Sequence, residues 1–237
     1  MSTTASVSDI QSRRQTTRII LFFDIDNCLY PPSLGIHHLM RERIIQFAKK
    51  HRLAATDDEL ARLCEQYYRD HGLAIRGLLL NHPEVRNDID AYNEEVDGAL
   101  PLDRLLEYDE ELVKMMQRLN ADKIWAFTNA GKIHAYRVLQ CLGIAEYFHG
   151  VTYCDYTAEE IVCKPALEAF KNAMNQAGVN EMDECWMMDD SAANLASAAT
   201  LGWKTVHVTP EVDASTTGDF RIKRIHDLVQ AVPHLFH

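Results

Sequence analysis

The stretch RIILFFDID, residues 18–26, is a run of apolar side chains that ends abruptly in two carboxylates, Asp24 and Asp26. A run that is apolar on both faces is typical of a central strand in a parallel sheet with helices on either side. In open α/β sheets, ligands bind at the carboxyl ends of such strands. We therefore expect both carboxylates at the ligand-binding edge of the sheet.

Four further apolar runs predict strands at residues 123–127, 150–153, 184–188 and 204–208. Each run is followed by turn or helix-start residues, and helical patterns lie between most of them. This alternation of strands and helices indicates βαβ units. The predicted fold class is therefore α/β, with a doubly wound, mostly parallel sheet.

Residues 31–109 differ because they show helical periodicity without a convincing strand. One helix is predicted through Leu39 and Phe47, and a second through Leu60 and Tyr67, after a cap signal that begins at Thr56. A helical block inserted after the first strand is typical of a cap domain, with hinges at 31–32 and 100–102. The predicted organisation is a disordered tail at 1–17, a core formed by 18–30 and 110–237, and a helical cap at 31–109.

The chain has 237 residues, 47% of them hydrophobic, and a formal net charge of −11. We expect no nucleic-acid or anionic membrane partner, since proteins that bind these partners carry an excess of Lys and Arg.

The six cysteines form no C-x-x-C pair, so reduced thiols are expected rather than disulfides or a zinc site. No apolar run approaches the ~20 residues of a membrane span. The cytoplasm is the expected location, with access to the nucleus left open.

The D-x-D sequence Asp24-Ile25-Asp26 places two carboxylates on the same side of an extended chain. Like charges this close, beside an apolar strand, are costly unless a cation lies between them or one of them is protonated. Either a bound cation or a protonated aspartate would be useful for catalysis. Mg²⁺ prefers carboxylate and carbonyl oxygens, and a protonated aspartic acid can act as a general acid. The alternative is an Asp-rich turn that only caps the strand.

Two further signals lie after predicted strands. Thr128 and Asn129 follow the strand at 123–127, and a hydroxyl followed by exposed backbone N–H groups is suited to hold phosphate oxygens. The alternative is that Thr128 is a helix N-cap.

Lys164 precedes Pro165, which disfavours a helical conformation for the lysine, and an ammonium fixed there could pair with phosphate and with a carboxylate. The alternative is a solvent-exposed lysine before a helix.

The last signal is the pair Asp189-Asp190 at the end of the apolar run 184–188, with Asn194 one turn later. Adjacent acids at the end of a buried strand are costly unless a metal neutralises them. Each signal alone is weak, but four in this order, at strand ends or in the loops just beyond, indicate one site. We expect the acids at 24, 26, 189 and 190 to converge on one divalent ion beside a bound phosphoryl group.

This order of motifs resembles the haloacid dehalogenase superfamily, whose members carry a D-x-D motif, a later Ser or Thr, a Lys and a final acidic pair. The match covers nearly the whole chain after the N-terminal tail. Longer strings resemble, more narrowly, the fungal pyrimidine 5′-nucleotidases: FFDIDNCLY (22–30), GLAIRGL (72–78), LGI (142–144) and TYCDY (152–156). Asn27 and Cys28 stand where many superfamily members have Gly-Thr, a departure that the nucleotidase-like subgroup shares.

The resemblance implies a Mg²⁺-dependent phosphatase with a Rossmann-like core and a helical cap. Asp24 is then the nucleophile that forms an aspartyl-phosphate, and Asp26 is the general acid and base. The groups implied to hold Mg²⁺ are an Asp24 oxygen, the Asp26 backbone carbonyl, Asp190, and Asp189 either directly or through water. The groups implied to hold the phosphate oxygens are Thr128, the Asn129 N–H and Lys164.

The implied substrate is a small nucleoside monophosphate such as UMP or CMP, and we expect a monomer or a weak homodimer. Arg76 is the leading candidate for substrate contact in the cap, since a guanidinium can bond a base carbonyl or a phosphate at two points. The equal alternative is a surface arginine paired with an acid such as Asp70. Rival activities are hydrolysis of lysophosphatidate or of a sugar phosphate, a phosphomutase, a dehalogenase, and a non-catalytic binding protein on the same scaffold.

Overall fold

The computed structural model describes residues 17–211 and 217–237. The disordered tail predicted at 1–17 therefore lies, apart from Thr17, outside the described residues. Within the described ranges, no helix is both long enough and apolar enough to cross a membrane.

The described residues form a six-stranded parallel sheet with the strand order β3-β2-β1-β4-β5-β6. The strands are β1 Ile19–Phe23, β2 Lys123–Phe127, β3 Gly150–Thr152, β4 Glu184–Asp189, β5 Lys204–Val208 and β6 Phe220–Ile222. All five predicted strands form. The sixth, β6, was not predicted, because three residues are too few to show a period-2 pattern.

Ten α-helices accompany the sheet in the described residues. They are α1 Ile36–Lys50, α2 Asp57–His71, α3 Ala74–Asn81, α4 Ile89–Tyr92, α5 Leu102–Leu105, α6 Glu110–Gln117, α7 Lys132–Cys141, α8 Leu167–Ala177, α9 Ala192–Thr200 and α10 Leu228–Ala231. Short 3₁₀ turns lie at Pro32–Leu34, Pro83–Asp88, Ala145–Tyr147, Ile225–Asp227 and Pro233–Leu235, and a π-helical turn lies at Asn93–Gly98.

Both faces of the sheet are covered, as expected for a doubly wound fold. Leu21 and Phe23 of β1 belong to a buried cluster with residues of α6 and α7, whereas Ile20 and Phe22 belong to a second cluster with residues of α8 and α9. Alternate side chains of a strand point to opposite faces, so a strand buried on both faces must be apolar throughout. The predicted α/β fold class is confirmed.

The helices between β1 and α5 have a hydrophobic cluster of their own, which includes Phe47, Leu60 and Leu78. The predicted cap signal of α2 forms a capping box. Thr56 Oγ1 accepts a hydrogen bond from the Glu59 N–H, and the Glu59 carboxylate accepts one from the Thr56 N–H. Four buried residues from the loop after β3 join this cluster, namely Cys154, Tyr156, Ile161 and Cys163. The helical block therefore packs partly on that loop, and its boundaries at 31 and 109 stay a prediction.

Candidate active site

The carboxyl ends of three neighbouring strands meet at one point of the sheet. Asp24 follows the central strand β1, Thr128 follows β2 on one side, and Asp189 ends β4 on the other side. The connection from β1 leads to β2 on one side, whereas the connection from β4 leads to β5 on the other, and this reversal opens a crevice at the strand ends. Asp24, Asp189 and Asp190 each offer a carboxylate oxygen within 4.8 Å of the others. The two acidic motifs, remote in sequence, therefore come together.

Lys164 lies at the centre of this acidic group. Its Nζ is 2.9 Å from Asp24 Oδ1, 2.7 Å from Asp189 Oδ2 and 2.7 Å from the Phe127 carbonyl oxygen. The side chain is only 1% exposed, so it is not the solvent-exposed lysine that the sequence allowed as an alternative. Burial lowers the pKa of Lys164, but the ion pairs with Asp189 and Asp24 outweigh burial and raise that pKa above its ordinary value. The ammonium is therefore fixed and charged.

The negative charge at this site exceeds what one lysine can neutralise. Burial and the neighbouring acids raise the pKa of Asp24 well above its ordinary value, against the opposing effect of Lys164. Burial and the charge of Asp189 likewise raise the pKa of Asp190 to about 7. Three carboxylates facing one ammonium are expected to bind a further cation, since like charges in a buried site are costly. Oxygen ligands alone suit a hard divalent ion such as Mg²⁺.

Several hydrogen-bond donors hold the carboxylate of Asp189 in place. It accepts hydrogen bonds from the Ser191 N–H at 2.8 Å and from Asn194 Nδ2 at 3.0 and 3.1 Å, in addition to its pair with Lys164. Asp190 is less deeply buried and lines the open cleft described below. Asp190 is therefore the more available metal ligand of the pair, and Asp189 anchors Lys164.

The loop after β2 reaches the same point. Thr128 Oγ1 accepts a hydrogen bond from the Ala130 N–H at 3.0 Å, and α7 begins only at Lys132 with Gly131 as its N-cap. Thr128 is therefore not the N-cap of that helix. The side chain of Asn129 donates to the Lys164 carbonyl and accepts from the Lys164 N–H, both at 2.8 Å. This reciprocal pair fixes the backbone of the lysine, a role that the sequence did not indicate.

Asp26 departs from the expectation that four acidic side chains converge on one ion. Its carboxylate is not part of the acidic group of Asp24 and its two partners. Instead Oδ1 of Asp26 lies 2.6 Å from His134 Nε2 and also accepts a hydrogen bond from the Tyr30 hydroxyl. Burial would raise the pKa of Asp26, but its contacts with His134 and Tyr30 outweigh burial and lower that pKa. His134 and Tyr30 thus hold the side chain of Asp26 apart from the acidic group.

A cleft of about 860 Å³ opens onto these groups, between the sheet edge and helices α1, α2 and α3. All but one of the predicted site residues line it, namely Asp24, Asp26, Arg76, Thr128, Asn129, Lys164 and Asp190. Asp189, fully buried, lies beneath its floor. Arg76 forms no salt bridge with Asp70 within the described ranges, and its Nη1 donates two long hydrogen bonds, to the His71 carbonyl at 3.4 Å and to Cys163 Sγ at 4.0 Å. The guanidinium is therefore available to a ligand in the cleft.

Comparison with known proteins identifies the family. Residues 20–202 match the family model of haloacid dehalogenase-like hydrolases. The chain belongs to this family. The chain is also similar to "Phosphate metabolism protein 8" of Saccharomyces cerevisiae, with 39% identity over 194 residues, which are 78% of this chain and 60% of the yeast protein. This chain thus matches only about 60% of the length of that curated relative.

Solved structures of haloacid dehalogenase-like proteins share the fold. CbbY from Rhodobacter sphaeroides, solved in complex with phosphate, gives a TM-score of 0.60 at 16% identity, covering 93% of this chain and 99% of CbbY. The protein YfnB from Bacillus subtilis, solved bound to magnesium, gives 0.53 at 19% identity, covering 91% of this chain and 98% of YfnB. At these identities the likeness establishes the architecture alone.

The contacts of three residues at this site were not predicted from the sequence. Tyr30 lies within the first motif string, but nothing in the sequence links its hydroxyl to Asp26. His134 lies in the first turn of α7, 108 residues from its partner Asp26, and a lone histidine is more often a packing residue than a catalytic one. Asn194 was noticed as a neighbour of the second acidic pair, but its double hydrogen bond to Asp189 was not predicted.

Proposed function

We propose that this hydrolase cleaves phosphate monoesters through a covalent intermediate on Asp24, and that its substrates are pyrimidine nucleoside 5′-monophosphates. One observation carries the phosphate chemistry: Lys164 is buried between Asp24 and Asp189, at the floor of a cleft that Asp190 and Thr128 also line. A fixed ammonium beside an acidic nucleophile is what attack on a dianionic phosphate requires.

The chemistry proceeds in two displacements at phosphorus. An oxygen of Asp24 forms a bond to phosphorus while the bond to the ester oxygen breaks. Asp26, which takes up a proton from solvent as the anionic ester binds, gives that proton to the departing alkoxide. Water then attacks phosphorus, Asp26 takes a proton from that water, and the bond to the Asp24 oxygen breaks. Inorganic phosphate and the alcohol are the products, and both carboxylates return to their starting state once Asp26 has released that proton to solvent.

The same carboxylates fit a Mg²⁺ ion. We assign its binding to Asp24, Asp190 and the backbone carbonyl of Asp26, with Asp189 behind them, because three clustered carboxylates otherwise face a single ammonium. When bound, the ion supplies positive charge that offsets repulsion between nucleophile and phosphate. The magnesium bound to YfnB, a protein of the same fold, is in line with this assignment.

The chain's own groups hold the phosphoryl oxygens. We assign this role to the Thr128 hydroxyl, the Asn129 N–H and the Lys164 ammonium, which line the cleft beside Asp24. Asn129 contributes in a second way, because its side chain fixes the backbone of Lys164. Groups held in place before the substrate arrives need no reorganisation during the reaction, which is how positioned donors lower a barrier.

The substrate class is supported by the sequence resemblance and by the size of the cleft. The strings FFDIDNCLY and GLAIRGL resemble fungal pyrimidine 5′-nucleotidases, and Arg76 of the second string lines the cleft. A volume of about 860 Å³ lies within the range of small-molecule sites and accommodates a nucleotide. The helices of residues 31–109 are proposed to act as a cap that closes over the bound ester and excludes water.

A phosphate-release panel tests the proposal. The panel contains UMP, CMP, purine nucleotides, sugar phosphates and lysophosphatidate, each with Mg²⁺ and with EDTA. The proposal expects release from UMP and CMP that depends on Mg²⁺. Release from lysophosphatidate or a sugar phosphate alone would reject the nucleotidase assignment and keep the phosphatase chemistry, and release from none would reject both.

A further inference from the structure

The Asp26 carboxylate is held by two side chains to which the proposed mechanism gives no role. His134 Nε2 lies 2.6 Å from Asp26 Oδ1, and the Tyr30 hydroxyl donates to the same oxygen. His134 has no exposed surface, and Tyr30 is 5% exposed. Two buried side chains of the protein thus contact a single oxygen of Asp26.

The arrangement distinguishes the two oxygens of Asp26. Oδ1 of Asp26 only accepts hydrogen bonds, whether the group is ionised or carries a proton on Oδ2, so His134 Nε2 donates to Oδ1, as the Tyr30 hydroxyl does. Oδ1 is thereby occupied by two donors from the protein. The Asp26 side chain keeps 27% of its surface exposed and lines the cleft, which leaves Oδ2 as the oxygen that can exchange a proton with a ligand.

The helix that carries His134 is itself anchored to the helical block. Arg137, one turn further along α7, donates to the carbonyl oxygens of Asp97, Gly98 and Leu100 at 3.2, 2.8 and 2.8 Å. These carbonyls lie in the segment that leads from the helical block back to the core. One helix therefore holds both the Asp26 carboxylate and the return segment of the proposed cap.

We propose that His134, assisted by Tyr30, is the positioning residue that directs the free oxygen of Asp26 to the leaving group. The inference rests on the proposed function and concerns how the proposed general acid, Asp26, is oriented. Oδ2 takes up a proton from solvent as the anionic ester binds beside it, and this proton passes to the bridging oxygen as the phosphorus–oxygen bond breaks. Oδ2 later takes a proton from the attacking water and releases it to solvent. His134 and Tyr30 keep their own protons throughout and stay on Oδ1.

A leaving group that needs no proton provides the test. UMP is compared with its analogue in which sulfur replaces the bridging 5′ oxygen, because a thiolate is far less basic than an alkoxide and departs without protonation. If the panel favours another ester, that ester and its bridging-sulfur analogue are used. The measured quantity is kcat/KM for each substrate, which reports formation of the phosphoenzyme. A loss of active protein lowers both values by the same factor, so their ratio does not depend on it.

His134→Leu is expected to lower kcat/KM for the oxygen ester at least about tenfold more than for the sulfur ester, since general acid catalysis contributes roughly 10²–10⁴-fold. His134→Gln, which keeps a donor, is expected to recover part of this difference. Tyr30→Phe removes the other donor at nearly constant volume and is expected to change the ratio in the same direction by a smaller factor.

His226→Leu is the matched control. It removes another largely buried histidine that lies 2.9 Å from a carboxylate, Asp109 Oδ2, outside the cleft, and it is expected to leave the ratio unchanged. Equal losses on both esters in His134→Leu and in Tyr30→Phe would overturn the inference while the proposed function stands. A wild-type chain that releases phosphate from no ester of the panel would overturn the proposed function and this inference together.

Discussion

The Nζ atom of Lys164 lies 2.9 Å from Oδ1 of Asp24, and both side chains are buried. A loop connects β3 to the lysine, whereas the aspartate directly follows the central strand, so only the folded chain brings them together. The contact places the fixed cation of the site directly on the proposed nucleophile. It also leaves the site acidic, because Asp189 and Asp190 lie within the same small volume.

Replacing the buried lysine should damage both stability and turnover. Lys164→Met leaves Asp24 and Asp189 without their cation, and breaking a buried ion pair by removing one partner costs about 3–5 kcal/mol. We expect a loss of this order in the free energy of unfolding, measured by urea denaturation without Mg²⁺, together with loss of phosphatase activity. Lys204→Met breaks the partly exposed pair with Glu184 and should change stability far less. Equal effects of the two variants would contradict the account.

Mg²⁺ should bind at Asp190 and stabilise the fold. A ligand that binds only the folded state adds about 2.7 kcal/mol at a hundredfold excess over its Kd, which appears as a rise in Tm. Because burial and Asp189 raise the pKa of Asp190 to about 7, protons compete with the metal below that pH, so the affinity should increase as the pH rises through 7. Asp190→Asn should lose most of the Tm rise, whereas the exposed control Asp103→Asn should keep it. An unchanged rise in Asp190→Asn would exclude this metal site.

Asp97 should give the fold a stability that depends on pH. Burial raises its pKa to about 6, against the opposing effect of His134, while an unfolded Asp titrates near 3.9. Between these two values the folded chain holds the proton more tightly, so this contribution to stability is present below about pH 4 and is lost as the pH rises through 6. Asp97→Asn does not titrate, so its stability relative to wild type should increase by about 2 kcal/mol from pH 4 to pH 7.

Urea denaturation at several pH values measures this difference for Asp97→Asn. Asp103→Asn, an exposed aspartate of α5, serves as the control and should give a difference that does not vary with pH. A difference for Asp97→Asn that is equally flat would show that Asp97 keeps an ordinary pKa.

Arg76 should affect substrate binding rather than chemistry. Its guanidinium lines the cleft without an acidic partner in the described part of the chain, so Arg76→Gln should raise KM for UMP by about tenfold or more and leave kcat within a small factor. Steady-state kinetics on UMP provide the measurement. Arg62→Gln, on the exposed face of α2, should change neither constant. A fall in kcat at constant KM would place Arg76 in the chemical step instead.

The sequence predicts the sheet and the acidic centre because both depend on local patterns. The apolar run of β1 followed by Asp24, and that of β4 followed by Asp190, each place an acid at a strand end, and parallel strands bring their carboxyl ends to one edge. The strand β6, with only three residues, shows no such pattern.

The partners of Asp26 were not predictable in the same way. The contact between Asp26 and His134 joins residues 108 positions apart, and a histidine inside a helix gives no sign of what its ring faces. The pairing of Asn129 with the Lys164 backbone is equally non-local. For Lys164 the sequence left an exposed residue as an alternative, and only the packing of its loop against β2 shows that it is buried.

Trapping the phosphoenzyme tests the central claim, that Asp24 attacks phosphorus. The chain is mixed with its best ester and Mg²⁺, quenched in acid within one turnover and treated with borohydride, which reduces an aspartyl-phosphate to homoserine. Mass spectrometry of the peptide that contains residues 19–30 should then find homoserine at position 24. Homoserine at Asp26, Asp189 or Asp190 instead, or rapid product formation with no acyl phosphate at any position, would contradict the account.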